Sequence, residues 1–193
     1  RVGVPQKPVL DADLGYAAAW QQAIGQLRAL GAEVIELDFE PLHQVARLLY
    51  SGPWVAERYA VVQRLLDSRP AKLDPTVAQV IGAARGFSAV DTFRAQYTLR
   101  HHQAEAVRLW TRVDLLLVPT APRHPRFDEV AADPVGANAL LGTYTNFVNL
   151  LGWCALAVPA GQAANGLPFG VTFIARGGLD AALALAARRW LGD

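Results

Sequence analysis

Arg1-Val2-Gly3-Val4-Pro5, a middle portion running from Asp13 to Gly31, and Val34-Ile35-Glu36-Leu37 form the stretch that decides the fold. Val2 to Pro5 reads as a short strand. Asp13 is a good N-cap for a helix from Leu14 to about Leu30, and Gly31 is its C-terminal stop. Ala17, Trp20, Ile24, Leu27 and Leu30 recur at helical spacing along it. Val34 to Leu37 is the next strand. A strand–helix–strand unit with such short joints calls for parallel strands joined by a right-handed crossover.

Downstream, two helical stretches, Leu42 to Tyr50 and Pro53 to about Asp67, are broken at Gly52-Pro53. Pro53 suits the first position of the second helix, where a missing N–H costs nothing. Ser68 to Pro75 is a polar, proline-marked loop, and Thr76 to about Arg85 reads as helix up to Gly86. Ser88 caps a long helix from Ala89 to about Thr111 that carries Phe93, Tyr97, Val107 and Trp110. Asp114 to Val118 is a strand, Pro122 to Pro134 a proline-containing loop, and Asn138 to Leu151 a helix. Ala155 to Pro159 and Phe169 to Ala175 are strands around a turn at Gly161 to Pro168, and Leu179 to Leu191 is a closing helix. The alternation gives an α/β class with a mixed sheet covered by helices, with no repeat and no domain boundary.

The chain has 193 residues, 52% of them hydrophobic and 18% charged, with a formal net charge of +1. That is apolar for a free-standing domain, and predicts that part of the surface lies against something else. No run reaches the roughly 18 uncharged apolar residues of a membrane span. The basic residues are scattered, so neither nucleic acid nor an anionic membrane is implied. The one cysteine, Cys154, cannot form an intrachain disulfide and fits a reducing cytosol; its apolar neighbours favour a buried small hydrophobe over a thiolate. There is no methionine and no signal peptide, and the opening on Arg1 reads as a segment of a longer chain.

The run Leu48-Leu49-Tyr50-Ser51-Gly52-Pro53-Trp54-Val55-Ala56-Glu57-Arg58 places a tyrosine and an arginine eight residues apart around the Gly-Pro break. An arginine held there could grip a small carboxylate with its planar fork while the tyrosine adds a directed hydroxyl. A plain helix–turn–helix corner with a surface arginine is the alternative. No nucleophile accompanies the pair. Of the three serines, Ser68 and Ser88 fit loop and cap roles, and Ser51 fits an N-cap before Pro53. Lys7 and Lys72 both neighbour prolines in loops. His101 and His102, adjacent on a helix, point about 100° apart and cannot share a metal. With His43 and His124 they read as residues of solvated helix faces, and no C-x-x-C or phosphate-binding glycine motif suggests a metal or cofactor. Thr145 and Asn149 lie four apart in an otherwise apolar helix, either pinning it to neighbouring backbone or touching substrate.

Thr145-x-x-x-Asn149, Gly152, Val158-Pro159-x-Gly161 and Gly166-Leu167-Pro168-x-Gly170-Val171 resemble the C-terminal half of the amidase signature family, across essentially the whole chain. Gly52-Pro53-Trp54-Val55-Ala56-Glu57-Arg58-Tyr59, Pro119-Thr120-Ala121-Pro122 and Leu141 to Leu150 look like its allophanate hydrolase branch. Gly152-Trp153 departs from the charged or polar residue expected there, which bears on packing. The resemblance implies a serine nucleophile, a second serine and a lysine base, all in a segment upstream of Val2 to Pro5. It also implies that Tyr50 and Arg58 hold the carboxylate end of allophanate (urea carboxylate), and that this chain alone is inactive. The expected setting is a cytoplasmic, homo-oligomeric amidase acting on a small carboxylate-bearing amide. An upstream segment or partner chain would cover the exposed apolar surface. Rival readings are another member of the family, such as the amidase component of an amidotransferase or a general amidase, and a non-catalytic scaffold.

Overall fold

A computed structural model describes residues 1–11 and 15–192, with the side chains of residues 50, 51 and 70 outside the description. Strand β1 (Val2–Pro5) leads into helix α1 (Tyr16–Ala29) and strand β2 (Val34–Leu37). β1 and β2 pair in parallel, with Val2 opposite Val34 and Pro5 opposite Leu37. The expected cap Asp13 and first helical residue Leu14 lie outside the described residues, and α1 starts at Tyr16 behind Gly15. Gly31 does end the helix: it takes φ +87°, and Ala32 N–H reaches back to the carbonyl of Leu27. The buried stripe is Tyr16, Ala19, Trp20, Ala23, Ile24 and Leu27. Ala17, expected on it, is exposed. It is one residue past Tyr16 and so points about 100° away.

Helices α2 (Glu40–Ser51) and α3 (Val55–Ser68) follow, then a 3-10 turn over Pro70–Lys72 and helix α4 (Pro75–Gly82). Pro53 is not the first residue of α3. It sits in a tight lead-in turn whose carbonyl accepts from Ala56 N–H at 2.8 Å. The expected helix from Thr76 to Arg85 tightens after Gly82 into a 3-10 turn, Ala83–Gly86. The long helix is α5 (Ala89–Ala106), opened by a reciprocal Ser88–Asp91 capping box and continued as a 3-10 turn over Val107–Thr111. Strand β3 (Leu115–Pro119) comes next. The segment from Pro122 to Pro134, expected as loop, contains a short helix α6 (Phe127–Ala132), at whose start Glu129 accepts from Arg126 N–H.

The single helix expected over Asn138 to Leu151 is two, α7 (Pro134–Leu141) and α8 (Asn146–Leu150). Gly142 and Thr143 N–H close short i−3 bonds, and the Thr143 hydroxyl takes the carbonyl of Leu140 that a continuing helix would need. Strands β4 (Cys154–Gln162) and β5 (Pro168–Ala175) form a hairpin, and α9 (Asp180–Leu191) closes the chain.

The sheet order among the described residues is β2-β1-β3-β5-β4. β1 runs parallel to β2 and β3, whereas β5 is antiparallel to β3 and β4. Both faces are covered, which explains why Leu115 to Val118 is apolar without alternation. On one face Leu117 and Phe173 join Val2, Val4, Trp20, Phe169 and Trp190 beneath α1 and α9. On the other, Leu116, Val118 and Ile174 join Phe39, Leu42, Val45, Tyr144 and Phe147 beneath α2 and α8. Trp153, the departure from the family pattern, packs edge-on against Trp110 at 4.7 Å and Phe147 at 6.0 Å.

α8 is held by its neighbours rather than by the expected polar pair. Asn149 is exposed and Thr145 is the N-cap of α8. The anchoring bonds are Val9 N–H to the Tyr144 hydroxyl at 2.5 Å and Gln103 Nε2 to the Leu150 carbonyl at 2.8 Å. Cys154 is half-buried rather than fully buried, and its thiol donates to the Arg176 carbonyl at 3.1 Å. α5 has no buried residue among those described. Phe93 and Tyr97 of α5 and Val107 of the turn after it are 56%, 61% and 62% exposed. No helix among the described residues is long and apolar enough to cross a membrane.

Candidate functional site

The Tyr50–Arg58 run folds as the end of α2, a corner, and the first turns of α3. Glycine at position 52 is required by packing. A Cβ there would lie 2.5 Å from the backbone oxygen of Leu48 and 2.9 Å from the Trp54 ring. Gly52 N–H closes α2 onto that same Leu48 oxygen. The corner therefore fixes where α3 departs. Tyr50 stands at the C-terminal end of α2, with its side chain outside the described residues.

Arg58 lies one turn into α3 and is exposed. It lines a cleft of about 480 Å³ with Asp74, Val77, Val80 and Ile81 on one side and Val135 and Asn138 of α7 on the other. The walls are largely aliphatic. Asp74 caps α4 by accepting from Thr76 and Val77 N–H at 2.9 and 3.1 Å, so part of its charge is already engaged by the helix N-terminus. No ion pair to Arg58 forms among the described residues, so its fork is open to an anionic ligand.

A second pocket of about 590 Å³ is lined by Val9, Glu40, His43, Ala46, Arg47, Ala139, Thr143 and Asn146. His43 was assigned to a solvated helix face. It is in fact half-buried, with its ring 5.8 Å from that of Tyr144 and 6.2 Å from that of Phe39. Its place three and four residues before Ala46 and Arg47 on one face of α2 was visible in the sequence, but the turn before α8 that brings Tyr144 against it was not. Burial lowers the His43 pKa, against smaller opposing contributions from the Glu40 charge and the Thr143 backbone. Burial also pushes the Tyr144 phenol up to about 12.

A histidine whose folded pKa is depressed binds fewer protons than in the unfolded chain. Stability is then complete above the unfolded pKa, near 6.5, and falls as pH drops through it toward the folded value. The melting temperature is therefore expected to decline below about pH 6.5, and His43→Gln should flatten that decline. An unchanged pH slope in the variant would remove His43 as the source.

The remaining histidines divide. His101 is exposed beside Glu105, whereas the His102 side chain is 16% exposed. His124 lies in the loop after β3, where its Nδ1 bonds the Tyr16 hydroxyl. Among the described residues no three His, Cys, Asp or Glu side chains gather where they could share a metal ion. The Ser68 hydroxyl donates to the Arg64 carbonyl, and the Ser88 hydroxyl is engaged with Asp91. Sequence reasoning missed a cluster beside Arg58. Arg85 Nε donates to the Tyr59 hydroxyl at 3.1 Å, and a terminal nitrogen of the same side chain bonds Asp67. Its partners stand 26 and 18 residues away, a separation that no local pattern reveals.

The family model described as "Amidase" matches residues 1–184. The urea amidolyase of Saccharomyces cerevisiae is 48% identical over 173 residues, covering 89% of this chain and 9% of that protein. The 2-amino-5-chloromuconic acid deaminase of Comamonas testosteroni is 32% identical over 176 residues, covering 89% of this chain and 38% of that one. The solved allophanate hydrolase of Kluyveromyces lactis superposes with a TM-score of 0.94 at 37% identity, over 99% of this chain and 31% of that one. The chain thus spans less than a third of that structure and about a tenth of the urea amidolyase. With a family model matched from Arg1 to residue 184 and the sheet superposing throughout, the chain belongs to the amidase signature family.

Proposed function

We propose that this chain is the C-terminal, substrate-gripping part of an allophanate hydrolase-like amidase. The complete enzyme hydrolyses allophanate to ammonia and carbon dioxide through an acyl-serine. The observation that carries the reading is Arg58, exposed at the cleft between α3, α4 and α7 beyond a corner that Gly52 fixes. Allophanate carries a carboxylate at one end and a urea-like amide at the other. A guanidinium receives the carboxylate through two parallel N–H···O bonds and so sets the direction in which the amide points. The Tyr50 hydroxyl adds a third donor to the same group. By the family resemblance, the catalytic serines and a lysine base would come from a segment upstream of Val2 to Pro5. Orientation of this kind supplies rate because the carbonyl is presented to the nucleophile already aligned.

The relatives support this branch over its rivals. Identity is 48% to a urea amidolyase and 32% to a deaminase of a different substrate. Phe93 and Tyr97, exposed on α5, support a covering by the upstream segment or by a partner chain, as in a homo-oligomer. The single cysteine, half-buried and without a disulfide partner, fits a cytoplasmic enzyme.

The test is a substrate pair: allophanate, and biuret, its neutral amide counterpart. The complete enzyme is expected to prefer allophanate, and the 193-residue chain alone to hydrolyse neither. Equal kcat/KM for the two substrates, or turnover by the chain alone, would overturn the reading.

A further inference from the structure

Arg85 stands in the 3-10 turn between α4 and α5, outside the Arg58 cleft. Its side chain spans α3. Nε donates to the Tyr59 hydroxyl at 3.1 Å, the guanidinium carbon lies 5.4 Å from the Tyr59 ring centroid, and a terminal nitrogen bonds the Asp67 carboxylate. Tyr59 directly follows Arg58, and Asp67 is eight residues further on, about two helical turns. One planar fork thus ties two turns of α3 to the end of α4. These are the helices that carry Arg58 and the Val77, Val80 and Ile81 wall facing it.

Stability alone is a poor reason for this arrangement. Arg85 and Asp67 are 54% and 47% exposed, and ion pairs so exposed contribute little. What the fork fixes is geometry: two anchors on one rigid plane restrain both the rotation and the advance of α3 against α4, and a lysine could hold only one of them. Resting on the reading that Arg58 receives the substrate carboxylate, we infer that Arg85 is a positioning residue that sets the orientation of Arg58 through Tyr59 and Asp67.

The test uses the complete enzyme with allophanate and biuret. Arg85→Ala is expected to raise KM for allophanate about 5- to 20-fold with kcat within about threefold, since small misplacements of a binding group are costly. Biuret kinetics should stay within about twofold of the parent, because biuret has no carboxylate for Arg58 to orient. Arg85→Lys should fall between the two, and in an Arg58→Ala background Arg85→Ala should add nothing. Asp67→Asn, which weakens one anchor only, gives the same KM-selective pattern on a smaller scale and keeps the test readable if Arg85→Ala does not fold. Equal losses on both substrates, or a full Arg85 effect without Arg58, would overturn the inference and make Arg85 a plain brace. So would silence of Arg85→Ala while Arg58→Ala is damaging. If Arg58→Ala itself leaves allophanate untouched, the carboxylate reading fails first and takes this inference with it.

Discussion

Replacing Arg58 by lysine in the complete enzyme is expected to lower kcat/KM for allophanate by roughly ten- to a thousandfold. A charge-assisted hydrogen bond is worth about 1.5–3 kcal/mol, and the fork offers two where an ammonium places one. Every 1.4 kcal/mol is about a factor of ten, which sets the range. Tyr50→Phe should cost less, because one hydroxyl contact goes and the charge remains. Biuret should respond little to either change, since it has no carboxylate to lose. Arg58 is exposed and lacks an ion-pair partner among the described residues, so the melting temperature should hardly move. Comparable losses on allophanate and biuret would mean instead that Arg58 braces the Gly52-Pro53 corner.

The largest stability effect is expected in the core beneath α2 and α8. Phe147 is fully buried, and its ring lies 6.4 Å from Phe39 and 6.0 Å from Trp153, both edge-on. Phe147→Ala removes that ring from a close-packed site, at a cost of about 3–5 kcal/mol. Against a typical total of about 5–15 kcal/mol this is a large share, and at about 2–4 °C per kcal/mol it lowers the melting temperature by roughly 6–20 °C. Phe93→Ala is the contrast. Phe93 is 56% exposed on α5, so its loss should change the isolated chain by no more than about 0.5 kcal/mol. In the complete enzyme the same substitution should cost more, because the proposed covering buries that side of α5. A cooperative urea melt on each variant measures both values. A loss below about 1 kcal/mol for Phe147→Ala would contradict the packing described for this core.

The strands were legible because each carries its own local signal. Val2 to Pro5, Val34 to Leu37 and Leu115 to Val118 are short apolar runs bounded by turn residues, and the hairpin is marked by Gly161 and Gly166. Helix ends were harder to read. Pro53 resembles a first helical residue, but it sits in a turn whose carbonyl accepts from Ala56 N–H, and α3 begins only at Val55. The break at Gly142 was hidden because Thr143 and Tyr144 continue the apolar-polar rhythm of the helix on either side. What decides it is tertiary: the Tyr144 hydroxyl must reach Val9, and the Thr143 hydroxyl takes the Leu140 carbonyl. Arg58 could be singled out from its chemistry and from family resemblance. The α4 wall opposite it, the α7 flank and the Arg85 fork could not, since each comes from a distant segment whose own pattern says only "helix" or "loop". His43 was misplaced for the same reason. One face of α2 is readable, but whether that face meets water or the turn that carries Tyr144 is not.

The most direct measurement is a crystal structure of the complete enzyme, its nucleophile disabled, with allophanate or a carboxylate-bearing analogue bound. The carboxylate is predicted to lie in the cleft between α3, α4 and α7, with both oxygens about 2.7–2.9 Å from the Arg58 guanidinium nitrogens. Its amide should point away from α3, toward the nucleophile. A carboxylate held by other groups, with Arg58 turned to solvent or bonded only within the protein, would contradict the assignment of this segment as the part that grips the substrate.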